Sequence, residues 1–190
     1  MNLPNKITLF RICLIPVFLV FALGLPFGVG QEFFGKFGSY IAAAIFIVAA
    51  ISDAVDGHLA RKHNQITNFG KFMDPIADKI LVLSAMLVLV GQGVFSVVGV
   101  IIIIAREFVV SAVRMMAVSS DGKVIGAGMS GKVKTVFQML AVIFALLRDF
   151  PFSFVFKSFH MYDILFWLSV ILTIYSGLEY VVRNVKYLRG

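Results

Sequence analysis

The chain has 190 residues, of which 60% are hydrophobic and 14% charged, with 20 Phe and a net charge of +7. A soluble domain of this length is usually about half apolar and about a quarter charged, so the composition excludes an ordinary soluble domain and indicates a chain solvated by lipid. Its basic residues punctuate apolar runs and form no solvent-facing stripe, which excludes a nucleic-acid binder and makes the charge a matter of topology and of attraction to anionic lipid.

The segment Met1–Arg11 interleaves Asn2, Asn5, Lys6, Thr8 and Arg11 with Leu3, Ile7, Leu9 and Phe10. That pattern predicts a short amphipathic helix at the cytoplasmic interface, before the first span turns inward. A helix crossing the hydrocarbon core needs roughly 20 mostly apolar residues. Six runs meet that need: Leu9–Val29, Ser39–Ala60, Phe72–Val90, Phe95–Met116, Val133–Leu147 and Tyr162–Val182. The first is long, contains Pro16 and Pro26 and lacks a small-residue cleavage site, so it is expected to be retained as a span. Cys13, the single cysteine, permits neither an internal disulfide nor a cysteine metal site, which leaves oxygen ligands for any metal. The fourth run is interrupted by Arg106 and Glu107, and the fifth is short. The expected fold is an all-α integral membrane protein, one domain over residues 1–190, with six transmembrane helices.

Alternate gaps between these runs differ sharply in basic residues. One set holds Lys6 and Arg11, then Arg61, Lys62 and Lys71, then Arg114, Lys123, Lys132 and Lys134, and finally Arg183, Lys186 and Arg189. The opposite set holds Lys36, Arg148 and Lys157. The positive-inside rule puts the richer set, and both termini, in the cytoplasm. An even number of spans demands the same.

Between the second and third runs lies an electrostatic anomaly. The chain has ten acidic residues, and four of them, Asp53, Asp56, Asp74 and Asp78, fall in the segment DAVDGHLARKHNQITNFGKFMDPIADK. An ionised Asp near apolar helix ends costs a few kcal/mol on insertion scales, so four together need compensation. Divalent cations would supply it, because they prefer oxygen ligands and neutralise carboxylates. Asp53 and Asp56 are i, i+3 and Asp74 and Asp78 are i, i+4, so each pair shares a helix face. The polar stretch Arg61–Phe69 reads as the turn between two antiparallel helices, and Pro75 fits the first turn of the second. Gly57 and Gly70 leave room for a backbone or ligand to approach. A carboxylate cluster holding two metals about 4 Å apart can clamp a pyrophosphate and stabilise an in-line displacement at phosphorus. Arg61 is placed to meet phosphate oxygens, and one carboxylate can take the proton from an attacking hydroxyl. Two other readings exist. The aspartates could pair with Arg61, Lys62 and Lys79 as interfacial salt bridges, which suits any one of them better than all four. A carboxylate-lined cation transporter would place its acids near the bilayer midplane, whereas these sit toward helix ends.

The segment resembles the signature of the CDP-alcohol phosphatidyltransferase family, D-x2-D-G-x2-A-R-x8-G-x3-D-x3-D. Asp53, Asp56, Gly57, Ala60, Arg61, Gly70, Asp74 and Asp78 meet every fixed position. The resemblance implies that Asp53, Asp56 and Asp74 ligate two divalent metals, Mg2+ or Mn2+, on the cytoplasmic side. It implies that Asp78 completes the metal site and acts as catalytic base, and that Gly57, Ala60 and Arg61 border the CDP group. It also implies a bacterial plasma-membrane enzyme, a homodimer, in which an alcohol attacks the phosphorus of CDP-diacylglycerol and CMP departs.

The signature leaves the acceptor open among glycerol 3-phosphate, serine, inositol phosphate, choline and ethanolamine. Arg106 and Glu107 interrupt an apolar run, and Arg114 follows about two turns later; Lys132, Lys134 and Thr135 open the fifth run after Gly131. An Arg within a span seldom faces lipid. Together Arg106, Arg114, Lys132 and Lys134 form a candidate site for an acceptor phosphate, with Glu107 the expected neutraliser of Arg106 or Arg114 and Lys123 a solvated loop charge. The stretches LPNKITLFRICLIP, TNFGKFMDPIADK, AREFVVSAVR and GKVKTVFQ are similar to the bacterial branch of the family whose acceptor is glycerol 3-phosphate, which implies phosphatidylglycerophosphate as product and puts Asn5, Thr8 and Arg11 beside the site. Gln31–Gly38 and Asp149–Met161 carry no recognisable signal. His58, His63 and His160 lack metal-ligand spacing, and Trp167 and the Tyr residues near span ends read as interfacial anchors.

Overall fold

In the computed structural model every regular element among the described residues is a helix. The structure describes residues 3–24, 37–63, 68–121, 128–150 and 160–185, and the side chains of 3–8, 53–63, 68–78 and 118–121 lie outside that description. Among the described residues six helices follow one another: α1 (Leu3–Leu23), α2 (Ser39–His63), α3 (Asn68–Gly91), α4 (Val97–Asp121), α5 (Met129–Leu146) and α6 (Met161–Arg183). Each apolar run expected from the sequence overlaps one of them, and each helix reaches beyond its run at one end or both. Among the described residues α5 and α6 are long and apolar enough to cross a membrane; α1, α2 and α3 contain the shorter apolar stretches Leu9–Leu23, Ser39–Ser52 and Lys79–Gly91.

Several boundaries differ from expectation, for local reasons. The segment expected as a separate interfacial helix runs unbroken into the rest of α1. That helix stops at Leu23, short of Val29, where Gly24 adopts φ 83° and its N–H bonds to the Val20 carbonyl at 2.9 Å. Glycine takes this left-handed stop without a Cβ penalty. Of the polar stretch Arg61–Phe69 expected as a turn, Arg61–His63 belong to α2 and Asn68–Phe69 to α3, and 64–67 lie outside the described residues. Pro75 therefore stands well inside α3 instead of in its first turn, where it can offer no N–H to the carbonyl four residues back.

The chain forms two compact units, residues 1–91 with 145–148, and residues 92–144 with 149–190. In the first, α1 packs against both α2 and α3. Its buried stripe is Arg11, Ile15, Phe18 and Ala22, a spacing of four, three and four that keeps one face inward. Facing residues on α2 are mostly small (Ala42, Ala43, Ala49), which lets helix backbones approach closely. Phe46 is the exception, and its ring tilts against Phe18 with centroids 6.3 Å apart.

In the second unit α4 packs along α6, and each helix gives a glycine to a large side chain of the other. A Cβ at Gly99 of α4 would stand 2.6 Å from Phe166 Cζ, and one at Gly177 of α6 would stand 3.0 Å from Arg106 Cγ. Phe166 also stacks on Phe95 with centroids 4.3 Å apart. Between these two notches α6 buries Ser169, Thr173 and Ser176. Their hydroxyls donate to helix carbonyls three or four residues back, at 2.7, 2.6 and 3.3 Å. The opposite face of α6 exposes Ile171, Leu178 and Val182 at 60%, 64% and 72%. Hydroxyls inside and aliphatic residues outside invert the soluble pattern and match a helix solvated by lipid.

α6 is anchored at its start from outside the helix. α5 ends in a Schellman turn, with Asp149 N–H bonded to Phe144 O at 2.8 Å and Arg148 N–H to Ala145 O at 3.1 Å. Arg148 and Asp149 both take left-handed φ, 53° and 59°, a conformation that costs a non-glycine residue roughly 1–2 kcal/mol. The turn delivers the buried Asp149 carboxylate to α6, where Oδ2 accepts from Met161 N–H at 3.1 Å and Oδ1 from Tyr162 N–H at 3.0 Å, with His160 Nδ1 3.1 Å from Oδ2. His160, at the N-cap, makes no side-chain cap bond of its own. Asp149→Ala leaves two helix-end donors without this acceptor and is expected to lower stability by about 2 kcal/mol, read as an earlier thermal or denaturant transition in detergent micelles.

Candidate functional site

Asp53, Asp56, Gly57, Ala60 and Arg61 fall in the second half of α2, and Gly70, Asp74 and Asp78 in the first half of α3. Their side chains lie outside the described residues, as do those of Asn5 and Thr8 and the whole of Lys123. The helix bounds still constrain the acids. At about 1.5 Å rise per residue, Asp56 lies about 10 Å back from the end of α2 and Asp74 about 9 Å in from the start of α3. Asp53 and Asp78 each lie about 15 Å from those ends. Helices joined by a short connection run antiparallel as a rule, and in such a pair Asp56 stands level with Asp74 and Asp53 level with Asp78. α2 and α3 touch each other within the first unit. Four carboxylates on two helices that touch each other offer hard oxygens, the ligand type that divalent cations prefer.

Arg11, expected beside this site, is buried to 1% exposure on the inward stripe of α1. Helix periodicity places it there: it is four residues before Ile15 and seven before Phe18.

The candidate phosphate-binding residues belong to the second unit, and the structure separates them. Arg106 and Lys134, from α4 and α5, converge on one carboxylate oxygen. Glu107 Oε1 accepts from Arg106 Nη1 at 3.1 Å and from Lys134 Nζ. Lys134 is buried, with 2% of its side chain exposed, whereas Lys132 points to the exposed surface of the same helix. Arg114 is half-buried two turns beyond Arg106, and the Nε groups of both arginines are buried without a hydrogen-bond partner among the described residues. Glu107 thus neutralises Arg106, one of the two partners expected for it, and also engages Lys134, which lies 27 positions away and carries no periodic signal.

α6 contributes residues that sequence reasoning missed. Ser176 Oγ lies 3.1 Å from Arg106 Nη2, and Gly177 makes the notch for the Arg106 stem. Glu179 accepts from Ser130 Oγ at 2.6 Å and pairs with Arg183 at 2.7 Å. Tyr180 packs with Val110 and Val113, and its buried hydroxyl has no partner among the described residues. The available signal was the recurrence of Ser169, Thr173, Ser176 and Gly177 at helical spacing in an otherwise apolar run, a small-residue seam for helix packing.

Comparison with known proteins follows the same residues. The sequence profile described as CDP-alcohol phosphatidyltransferase matches residues 1–175. A CDP-diacylglycerol--glycerol-3-phosphate 3-phosphatidyltransferase of Bacillus subtilis (strain 168) is 44% identical, over 99% of this chain and 97% of the relative. Relatives of the same description from Salmonella choleraesuis (strain SC-B67) and Rickettsia felis (strain ATCC VR-1525 / URRWXCal2) are 40% and 34% identical. The Salmonella match covers 94% of this chain and 92% of the relative, the Rickettsia match 98% and 97%.

The close passage of Arg106 over α6 has a direct consequence. Gly177→Ala would set a Cβ 3.0 Å from Arg106 Cγ, tighter than comfortable packing allows. Because Glu107 and Ser176 hold the Arg106 head group, its stem has little room to give, and the overpacking is expected to outweigh the roughly 1 kcal/mol that Ala gains over Gly inside a helix, visible as a lowered melting temperature in detergent.

Proposed function

The chain belongs to the CDP-alcohol phosphatidyltransferase family, and from that membership we propose that it transfers the phosphatidyl group of CDP-diacylglycerol to the free primary hydroxyl of glycerol 3-phosphate. The products are phosphatidylglycerophosphate and CMP. The observation that carries this reading is the complete signature from Asp53 to Asp78, lying on two consecutive helices. The acceptor rests on the relatives, which are described as glycerol-3-phosphate 3-phosphatidyltransferases over nearly their whole length.

The acceptor oxygen forms a bond to the phosphorus that carries diacylglycerol, and the bond from that phosphorus to the CMP oxygen breaks. The Asp78 carboxylate takes the hydroxyl proton, as the general base. Asp53, Asp56, Asp74 and Asp78 would hold two divalent ions, Mg2+ or Mn2+, whose chemistry there would be to neutralise the pyrophosphate and the charge that develops during displacement. Gly57 and Ala60 leave space for the cytidine nucleotide, and the Arg61 guanidinium meets its phosphate oxygens. Arg106, Arg114 and Lys134 receive the acceptor phosphate, and Lys132, exposed on α5, is left out of that set. The buried Nε donors of Arg106 and Arg114 support that role, because a buried guanidinium nitrogen without a partner is costly unless a ligand satisfies it.

The protein spans a bacterial plasma membrane six times with both termini cytoplasmic, and it acts as a homodimer. The alternation of basic residues between gaps supports the orientation, and the inverted polarity of α6 supports a lipid surroundings.

Purified protein with Mg2+ or Mn2+ and CDP-diacylglycerol is expected to release CMP when glycerol 3-phosphate is added. Release with serine or inositol phosphate in its place would reassign the acceptor; cation flux in vesicles without CMP release would favour a transporter. Asp78→Asn is expected to abolish turnover, and near-normal activity in that variant would displace Asp78 as the base. Arg114→Ala is expected to raise the KM for glycerol 3-phosphate about tenfold or more, the cost of one charge-assisted hydrogen bond, with the KM for CDP-diacylglycerol unchanged.

A further inference from the structure

One oxygen of Glu107 holds two cations brought by different helices, Arg106 of α4 and Lys134 of α5. All three side chains are largely shielded, at 14%, 17% and 2% exposure for Arg106, Glu107 and Lys134. In so dry a place two like charges within reach of one atom repel strongly, and their long side chains would otherwise turn apart. Ser176 holds the other terminal nitrogen of Arg106, and the Gly177 notch confines its stem. The guanidinium is thereby fixed in one orientation with Nε left as a buried donor free of any partner among the described residues.

A carboxylate beside a phosphate site opposes phosphate binding by charge. Any benefit it brings must come through position. We infer that Glu107 is a positioning residue, which holds the Arg106 guanidinium and the Lys134 ammonium in convergence so that the acceptor phosphate meets a preformed cationic pair. The inference rests on the reading of Arg106 and Lys134 as ligands of that phosphate. Its physical basis is preorganisation: the ordering of two flexible cations is settled on folding and is not charged against binding.

The two roles open to Glu107 predict opposite signs. If it only balances charge, Glu107→Gln should leave the KM for glycerol 3-phosphate unchanged or lower it, and Glu107→Asp, which keeps the charge, should behave as wild type. If it positions, both variants should raise that KM about tenfold or more, with the KM for CDP-diacylglycerol unchanged. Glu107→Asp retains the counter-charge of buried Lys134 and so keeps the test informative should Glu107→Gln fold poorly. Arg106→Ala and Lys134→Ala are measured alongside. If these two raise the KM for glycerol 3-phosphate and the Glu107 variants do not, the positioning role is overturned while the acceptor site stands. If none of the four moves it, the acceptor-site reading fails and the inference falls with it.

Discussion

Lys134 is a cation enclosed in a helical unit that exposes many apolar side chains, and such a charge needs a counter-charge supplied by the protein itself. Glu107 is that group. Because its oxygen also takes Arg106, one carboxylate ties α5 to α4 and sets the direction of two cations. Breaking such a pair by removing one partner costs about 3–5 kcal/mol in buried sites generally.

The same constraint shapes α6. An Arg inside the unit must cross the neighbouring helix, and the backbone of α6 is bare at Gly177 where Arg106 passes. Ser176 beside it turns a packing contact into a hydrogen bond. At the other end Gly99 receives Phe166, so the two glycines fix the helices at both ends of their contact. The intervening hydroxyls satisfy themselves on their own helix and add no unsatisfied group to the seam. Asp149 then pins the N-terminus of α6 through a strained left-handed pair at the end of α5. Strain of that kind persists where surrounding bonds over-determine it.

The two halves of the proposed chemistry rest on different kinds of support. Donor chemistry follows from eight residues of the signature and the family to which the chain belongs. Their positions fall in the second half of α2 and the first half of α3. Acceptor chemistry draws on residues scattered over α4, α5 and α6, which meet through a network of ion pairs and hydroxyls.

Much was determined by the sequence alone. The six apolar runs anticipate the six helices of the described residues, since a long apolar run satisfies its backbone most readily as a helix. The spacing of Asp53 with Asp56 and of Asp74 with Asp78 puts the members of each pair a helical turn apart, because helical periodicity is a local property. Local rules also failed in local ways: α1 stops early at Gly24, and α3 carries Pro75 through its interior. What only the tertiary structure decided is how residues far apart in the chain divide the labour. Lys132 and Lys134 read alike in sequence, yet one is exposed and the other buried on Glu107. Asp149, in a stretch without recognisable signal, caps α6. Such partnerships depend on which faces of different helices meet, and no spacing within a single helix encodes that.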